Sequence, residues 1–169
     1  MNGLKITMLS TLISLLTGCA KKPAEPPKGP GASAPLSYPV LLAGERNLVV
    51  KDDEQSLTTT TVASGLNFPQ FKVIDSGGTE YSIRRITEFG KRPTFLDMGT
   101  TPFRVFLEMK RDGKISLTNA KALVLAVALE PNGLVSGTAH GAQIATQRIQ
   151  GVQSFDELIQ VCRKTWEWR

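Results

Sequence analysis

The spacing of apolar residues changes period once along this chain, and that change restricts the fold more than any other feature. Phe103, Val105, Leu107 and Met109 alternate with Arg104, Phe106, Glu108 and Lys110, the two-residue period of a strand with one face buried. From Ala122 to Leu129 the residues are apolar without alternation, which fits a helix covered on most of its surface and lying centrally against a sheet. Strand signals fill the chain before this change and helical signals follow it. The expected class is α+β: an antiparallel β-sheet meander with a buried helix and a C-terminal helix packed on one side.

Turn residues bound the strands. Tyr38 to Ala43 and Asn47 to Lys51 are apolar or β-branched runs on either side of Gly44-Glu45-Arg46, which suits a hairpin. Leu57 to Ala63, with four consecutive threonines, has the content of a third, half-exposed strand. Gln70 to Ile74 and Thr79 to Thr87 flank Asp75-Ser76-Gly77-Gly78, the strongest turn signal in the chain. Asp112-Gly113 is expected to turn the chain back toward Lys114 to Leu117.

Capping signals bound the helices. Thr118 is placed to cap a helix from Asn119 to Leu129, which Pro131-Asn132-Gly133 ends. The stretch from Gly137 to Gln150 fits either a short helix or a loop. Ser154-Phe155-Asp156-Glu157 has the capping-box pattern, and Phe155, Leu158, Ile159, Cys162 and Trp166 then fall on one helical face.

Ahead of this domain the composition is different. Met1 to Lys5 carries one cation, and Ile6 to Leu16 is an uncharged, largely apolar run, too short for a membrane-spanning helix of about 20 apolar residues. Leu16-Thr17-Gly18-Cys19 closes it. From Ala20 to Leu36 the chain reads AKKPAEPPKGPGASAPL, with five prolines, two glycines and no aromatic residue, a composition that cannot bury enough surface to fold. A tether is the commoner use of such a stretch and a Pro-rich ligand the other. As extended polyproline II it would hold the domain up to roughly 50 Å from its anchor.

Leu16-Thr17-Gly18-Cys19 resembles the lipobox of bacterial lipoproteins, in which an apolar residue and two small ones precede the modified cysteine. The resemblance covers residues 1–20 and none of the domain behind them. It implies a signal peptide over 1–18, cleavage before Cys19, a diacylglyceryl group on the Cys19 thiol and an acyl chain such as palmitate on its freed amine. Ala20 stands where inner-membrane lipoproteins of enteric bacteria often have Asp, which implies sorting to the outer membrane, facing the periplasm, with the inner membrane as the alternative. Several chains on one cysteine make a lasting anchor, because each buried methylene contributes about 0.8 kcal/mol. The chain then divides into 1–18, the lipidated cysteine and tether at 19–36, and one globular domain at 37–169.

Without residues 1–18 the chain holds 19 Lys and Arg against 15 Asp and Glu. Half of that excess lies in the tether, where Lys21, Lys22 and Lys28 face only Glu25. The domain is left nearly neutral, without the concentrated basic face that phosphate binding needs, so no nucleic-acid partner is expected.

Chemical motifs are sparse. His140 is the one histidine, so a zinc site would need carboxylates and Cys162 at no known spacing. A Ser-His-Asp triad lacks its Gly-x-Ser-x-Gly elbow. Cys162 is the one thiol of the domain, and its apolar helical face reads as inert burial. Asp112-Gly113-Lys114-Ile115 resembles the centre of a calcium loop, but alignment puts Lys110 and Asn119 where acidic ligands belong. Gly77-Gly78 lacks the Lys and helix of a phosphate loop. Arg84, Arg85, Lys91 and Arg92 cluster, with Glu80 and Glu88 interspersed, and suit either a solvated strand face or contact with an acidic partner or anionic headgroups. Asp52-Asp53-Glu54 reads as a polar turn.

No catalytic, cofactor-binding or metal residue is assigned, and lipidation at Cys19 is the one site expected. The expected function is a lipid-anchored, non-enzymatic envelope lipoprotein acting by protein binding or assembly, with a monomeric domain. The alternatives are an immunity or inhibitor lipoprotein that neutralises a periplasmic toxin, and an envelope hydrolase using carboxylates.

Overall fold

The computed structural model describes residues 28–44, 47–61, 68–90, 101–130, 135 and 139–164. Its strands are β1 (Gly31–Ala32), β2 (Val40–Ala43), β3 (Leu48–Lys51), β4 (Thr59–Thr60), β5 (Lys72–Asp75), β6 (Thr79–Phe89) and β7 (Phe103–Lys114). The helices are α1 (Glu54–Leu57), α2 (Leu117–Leu129), α3 (Ala139–Gly151) and α4 (Phe155–Arg163). One sheet runs in the order β1-β7-β6-β5-β2-β3, with β4 also on β7. Every pairing is antiparallel except β1 with β7. The fold is α+β, with the C-terminal helices packed on the sheet.

All four residues of β2 are buried, because this strand lies between β3 and β5 and both of its faces are covered. Leu41 and Ala43 meet Ile74 and Leu48 beneath Val124, Ala128, Ile149, Leu158 and Ile159 of the helices. Val40 and Leu42 face the other way, into a second core with Leu57, Val73, Tyr81, Ile83, Val105 and Leu107. Fully buried side chains such as Leu41, Leu107 and Ile159 contribute about 1.5–3 kcal/mol each. Two cores on opposite faces require two covers.

The second cover corrects the expected tether boundary. Gly31 and Ala32 pair with Phe106 and Leu107 of β7, and Ala32, Ala34, Leu36 and Tyr38 pack on the second core. Ser33 fastens this strap: its N–H donates to Leu107 O at 2.9 Å, and its Oγ accepts the Met109 N–H at 2.8 Å. Tyr81 donates its hydroxyl to Pro35 O at 3.2 Å. Described structure therefore reaches back through residues assigned to an unfolded linker, because β7 offers backbone groups that a proline-poor stretch from Gly31 to Ala34 can satisfy.

Further differences are local. Leu57 ends α1, and the third strand shrinks to Thr59–Thr60. Residues 62–67 lie outside the described residues. Asp53, read as part of a polar turn, caps α1: its Oδ1 accepts the Ser56 N–H at 2.6 Å while Ser56 Oγ accepts the Asp53 N–H at 3.2 Å. Asp112-Gly113 is no turn. β7 continues through it, with Glu80 opposite Gly113 and Tyr81 opposite Arg111, so Asp112 is the extra residue of a bulge and Gly113 takes φ +138°.

Ser116, not Thr118, caps α2, accepting the Asn119 N–H at 3.2 Å. This helix is one-sided: Ala120, Val124, Val127 and Ala128 are buried, whereas Ala122 and Ala126 are exposed and Leu129 is 45% exposed. It forms an outer layer, since only one side meets the sheet and α3. The stretch left open as helix or loop forms α3, burying Gly141, Ala145 and Ile149. In α4, Ser154 accepts the Glu157 N–H at 3.2 Å. Glu157 answers through the Gln153 N–H at 2.6 Å, one residue before the cap. Leu158, Ile159 and Cys162 are buried as expected; Trp166 lies outside the described residues.

Candidate functional site

Register, not sequence proximity, assembles the densest polar group. Lys72 pairs across from Ser82, and Ser82 across from Lys110, so the three side chains form a row over β5, β6 and β7. The bulge then turns the Asp112 carboxylate into that row. Lys72 Nζ lies 3.0 Å from Glu80 Oε1 and 3.0 Å from Asp112 Oδ2, and donates to Ser82 Oγ at 3.0 Å. Ser82 Oγ donates to Asp112 Oδ2, and Lys110 Nζ lies 3.6 Å from Asp112 Oδ1.

A serine beside a lysine and two carboxylates has the parts of a nucleophilic dyad, but their electrostatics oppose that use. Hydrogen bonds to Glu80 and then Asp112 raise the Lys72 pKa, so the ammonium holds its proton. A hydrogen bond from Ser82, then the contact with Lys72, lowers the Asp112 carboxyl. A Ser-Lys pair needs a neutral amine to accept the hydroxyl proton. Here the row ties three strands together as an ion-pair network.

Beyond this row, the same face of β6 and β7 carries Arg84 and Arg85. Ile83 pairs with Met109 and Arg85 with Glu108, which leaves Arg84 as the extra residue of a second bulge. Ile83 and Ile86 both pack into the second core, so the two arginines between them share the opposite face, and both are exposed. A regular strand would have sent them to opposite faces. Helices α2 and α4 pack on β2 and β3 of that same side. The face therefore has a helix-covered half and a polar half. Lys91 and Arg92, expected with these arginines, lie outside the described residues.

The remaining sequence candidates do not gather. Cys19 lies outside the described residues. His140 is exposed on the first turn of α3. Cys162 is 2% exposed, and burial pushes its thiol up to about 12, which makes it inert. Asp52 pairs with Arg163, whose Nη1 donates to Oδ2 at 3.0 Å. Asp75, 3% exposed, accepts the Thr79 N–H at 2.7 Å and closes the β5–β6 turn. Among the described residues, no group of three or more His, Cys, Asp or Glu is placed to hold a metal ion, and no helix is long and apolar enough to cross a membrane.

Sequence reasoning missed the Lys72 row. The turn at Asp75–Gly78 was a signal for half of it, since a hairpin about that turn sets Lys72 opposite Ser82. Lys110 and Asp112 carried no such signal, because their placement depends on two bulges. No protein-family model, curated protein or solved structure matches this chain.

Proposed function

We propose that this chain is a lipid-anchored lipoprotein of the bacterial envelope, held by lipid on Cys19 and acting by binding a protein partner. The observation that carries the reading is the order of its first residues: a cation at Lys5, the apolar run Ile6 to Leu16, and Thr17-Gly18-Cys19. A thiol at that place can attack a lipid donor at the membrane surface.

Two structural observations support the binding role. The strap shortens the linker to Ala20–Pro30, at most about 34 Å in the polyproline II form, which keeps the domain beside its anchor. Confinement of this kind raises effective concentration, so moderate affinity for a confined partner suffices. The Lys72 row, where nucleophile and charge do meet, holds its lysine protonated and uses its contacts to join strands.

Mass spectrometry of the N-terminal peptide from membrane fractions tests the anchor. Diacylglyceryl and acyl mass on Cys19 is expected, with Cys19→Ser abolishing lipid labelling and accumulating as uncleaved precursor. Normal cleavage of Cys19→Ser, or an unmodified thiol at Cys19, would sink the reading. Crosslinking in envelope extract should then recover a protein partner, whereas turnover of peptidoglycan, ester or phosphoester substrates by the pure protein would replace binding with catalysis.

A further inference from the structure

We infer that the polar half of the sheet, centred on Arg84 and Arg85, rests on anionic lipid headgroups of the membrane that holds Cys19, so that the domain touches the bilayer through this face as well as through its lipid. The inference deepens the lipoprotein reading and rests on it.

The cationic excess of the domain falls in the two strands that form this face. There β6 and β7 carry Arg84, Arg85, Arg104 and Lys110 against Glu80, Glu108 and Asp112, whereas residues 37–78 and 115–169 together hold eight Lys and Arg against nine Asp and Glu. On the face itself, Glu80 and Asp112 are already engaged by Lys72, and Asp112 also by Lys110. Glu108 stands opposite Arg85. Arg84 is the bulged residue and has no cross-strand partner in the register. The bulge thus adds a second cation to one face, and guanidinium groups suit phosphate oxygens through paired hydrogen bonds.

The linker brings this face to the membrane. β1 lies along β7, and its parallel register, Gly31 with Phe106 and Ala32 with Leu107, makes the chain enter from the Phe103 end of that strand. The segment before it carries Lys21, Lys22 and Lys28 against Glu25, and Lys28 is exposed. Lys28, the described cation of that segment, therefore precedes a strand on the side of the sheet away from β2 and β3, next to β7 and then β6. A span of at most about 34 Å is no more than the width of a domain this size. Attraction between exposed cations and headgroups fades beyond roughly 8–10 Å at ordinary salt, and the short linker keeps the strands within repeated reach of that zone. An acidic protein would complement the same charges, but nothing in the linker would direct it to this edge.

The mature lipidated protein carrying Thr87→Cys, labelled with a polarity-sensitive dye, reports the contact, since Cys162 is buried and Cys19 is occupied by lipid. Thr87 lies on the same strand and pairs with Phe106. Vesicles of phosphatidylcholine alone are compared with vesicles holding about one part in three phosphatidylglycerol. Blue-shifted emission, shielded from a soluble quencher, is expected on the anionic vesicles only and should fade at high salt. Arg84→Gln with Arg85→Gln should lower the bound fraction's equilibrium by roughly 30-fold, about fivefold for each cation, with the urea midpoint showing that the variant is folded. Lys164→Gln, beyond α4, should leave the emission unchanged. Equal emission on both vesicles, indifference to the arginine pair, or a shift that requires an added acidic envelope protein overturns the inference while the anchor stands. Absence of lipid mass on Cys19 overturns both.

Discussion

The ring of Phe155 lies against Gly78 so closely that a Cβ on residue 78 would stand 2.5 Å from its Cε2 and 2.8 Å from its Cζ. Gly78 also has φ +71°, a region that L side chains enter at a cost. Its N–H donates to Asp75 O at 2.9 Å, and its carbonyl accepts the Ile115 N–H at 3.0 Å. One residue thus joins the β5–β6 turn, the start of the helical third and the first turn of α4.

Gly78→Ala should therefore destabilise the domain by about 2 kcal/mol or more, from backbone strain and from displacement of the ring. Urea unfolding measures the loss. Because part of it comes from Phe155, the double substitution with Phe155→Ala should cost less than the sum of the two, by upwards of about 0.5 kcal/mol. Strict additivity would show that the contact carries no strain.

The strap predicts where the domain must begin. A chain starting at Lys28 should unfold at a higher urea concentration than one starting at Ser37, which loses Ala32, Ala34 and Leu36 from the second core. Ser33→Ala alone should cost about 1–3 kcal/mol, since it leaves the Met109 N–H without its acceptor. Equal urea midpoints for the two chains would return residues 31–36 to the linker.

Alkaline pH should weaken the fold through two raised pKa values. Burial pushes Cys162 from 9.0 to about 12, and burial, then Glu54 and Asp53, raises Tyr38 from 10.0 to about 12. Both groups keep protons in the folded chain that the unfolded chain gives up, so their contribution is intact below about pH 9 and falls between about pH 9 and 12. Cys162→Ala and Tyr38→Phe should each flatten the decline in thermal midpoint over that range. At pH 8, thiol reagents should label Cys162 only as fast as the domain opens; instant labelling would show an exposed thiol.

Ser82 should be unreactive toward serine-directed covalent probes at neutral pH. Lys72 is held protonated by Glu80 and Asp112, and a protonated amine cannot take the hydroxyl proton. Lys72→Met should lower the urea midpoint without creating or abolishing reactivity. Labelling of Ser82 that disappears in Lys72→Met, read by peptide mass, would make the row a catalytic centre.

Much of the fold was legible from residues close together in the chain. The β2–β3 hairpin, the Asp75–Gly78 turn and the buried face of α4 follow from period, turn chemistry and capping, which act over a few residues. Burial of Cys162 follows from its place on that face. Local signals misled where distant partners decided the outcome. Asp112-Gly113 has the chemistry of a turn, yet hydrogen bonding to β6 on both sides of it makes extension the better solution, with the extra residue absorbed as a bulge.

The amino-acid sequence by itself determined the α+β class and the order of the longer strands before the three longer helices, because each is written in contiguous residues. Tertiary structure decided that Gly31 to Leu36 belongs to the domain, that Lys72, Ser82, Lys110 and Asp112 form one row, and that Arg84 and Arg85 share a face. Each of these depends on backbone register with a strand that lies far away in sequence. A side chain's face in a sheet reverses with every one-residue slip, so two bulges were enough to place charges where composition and period alone could not.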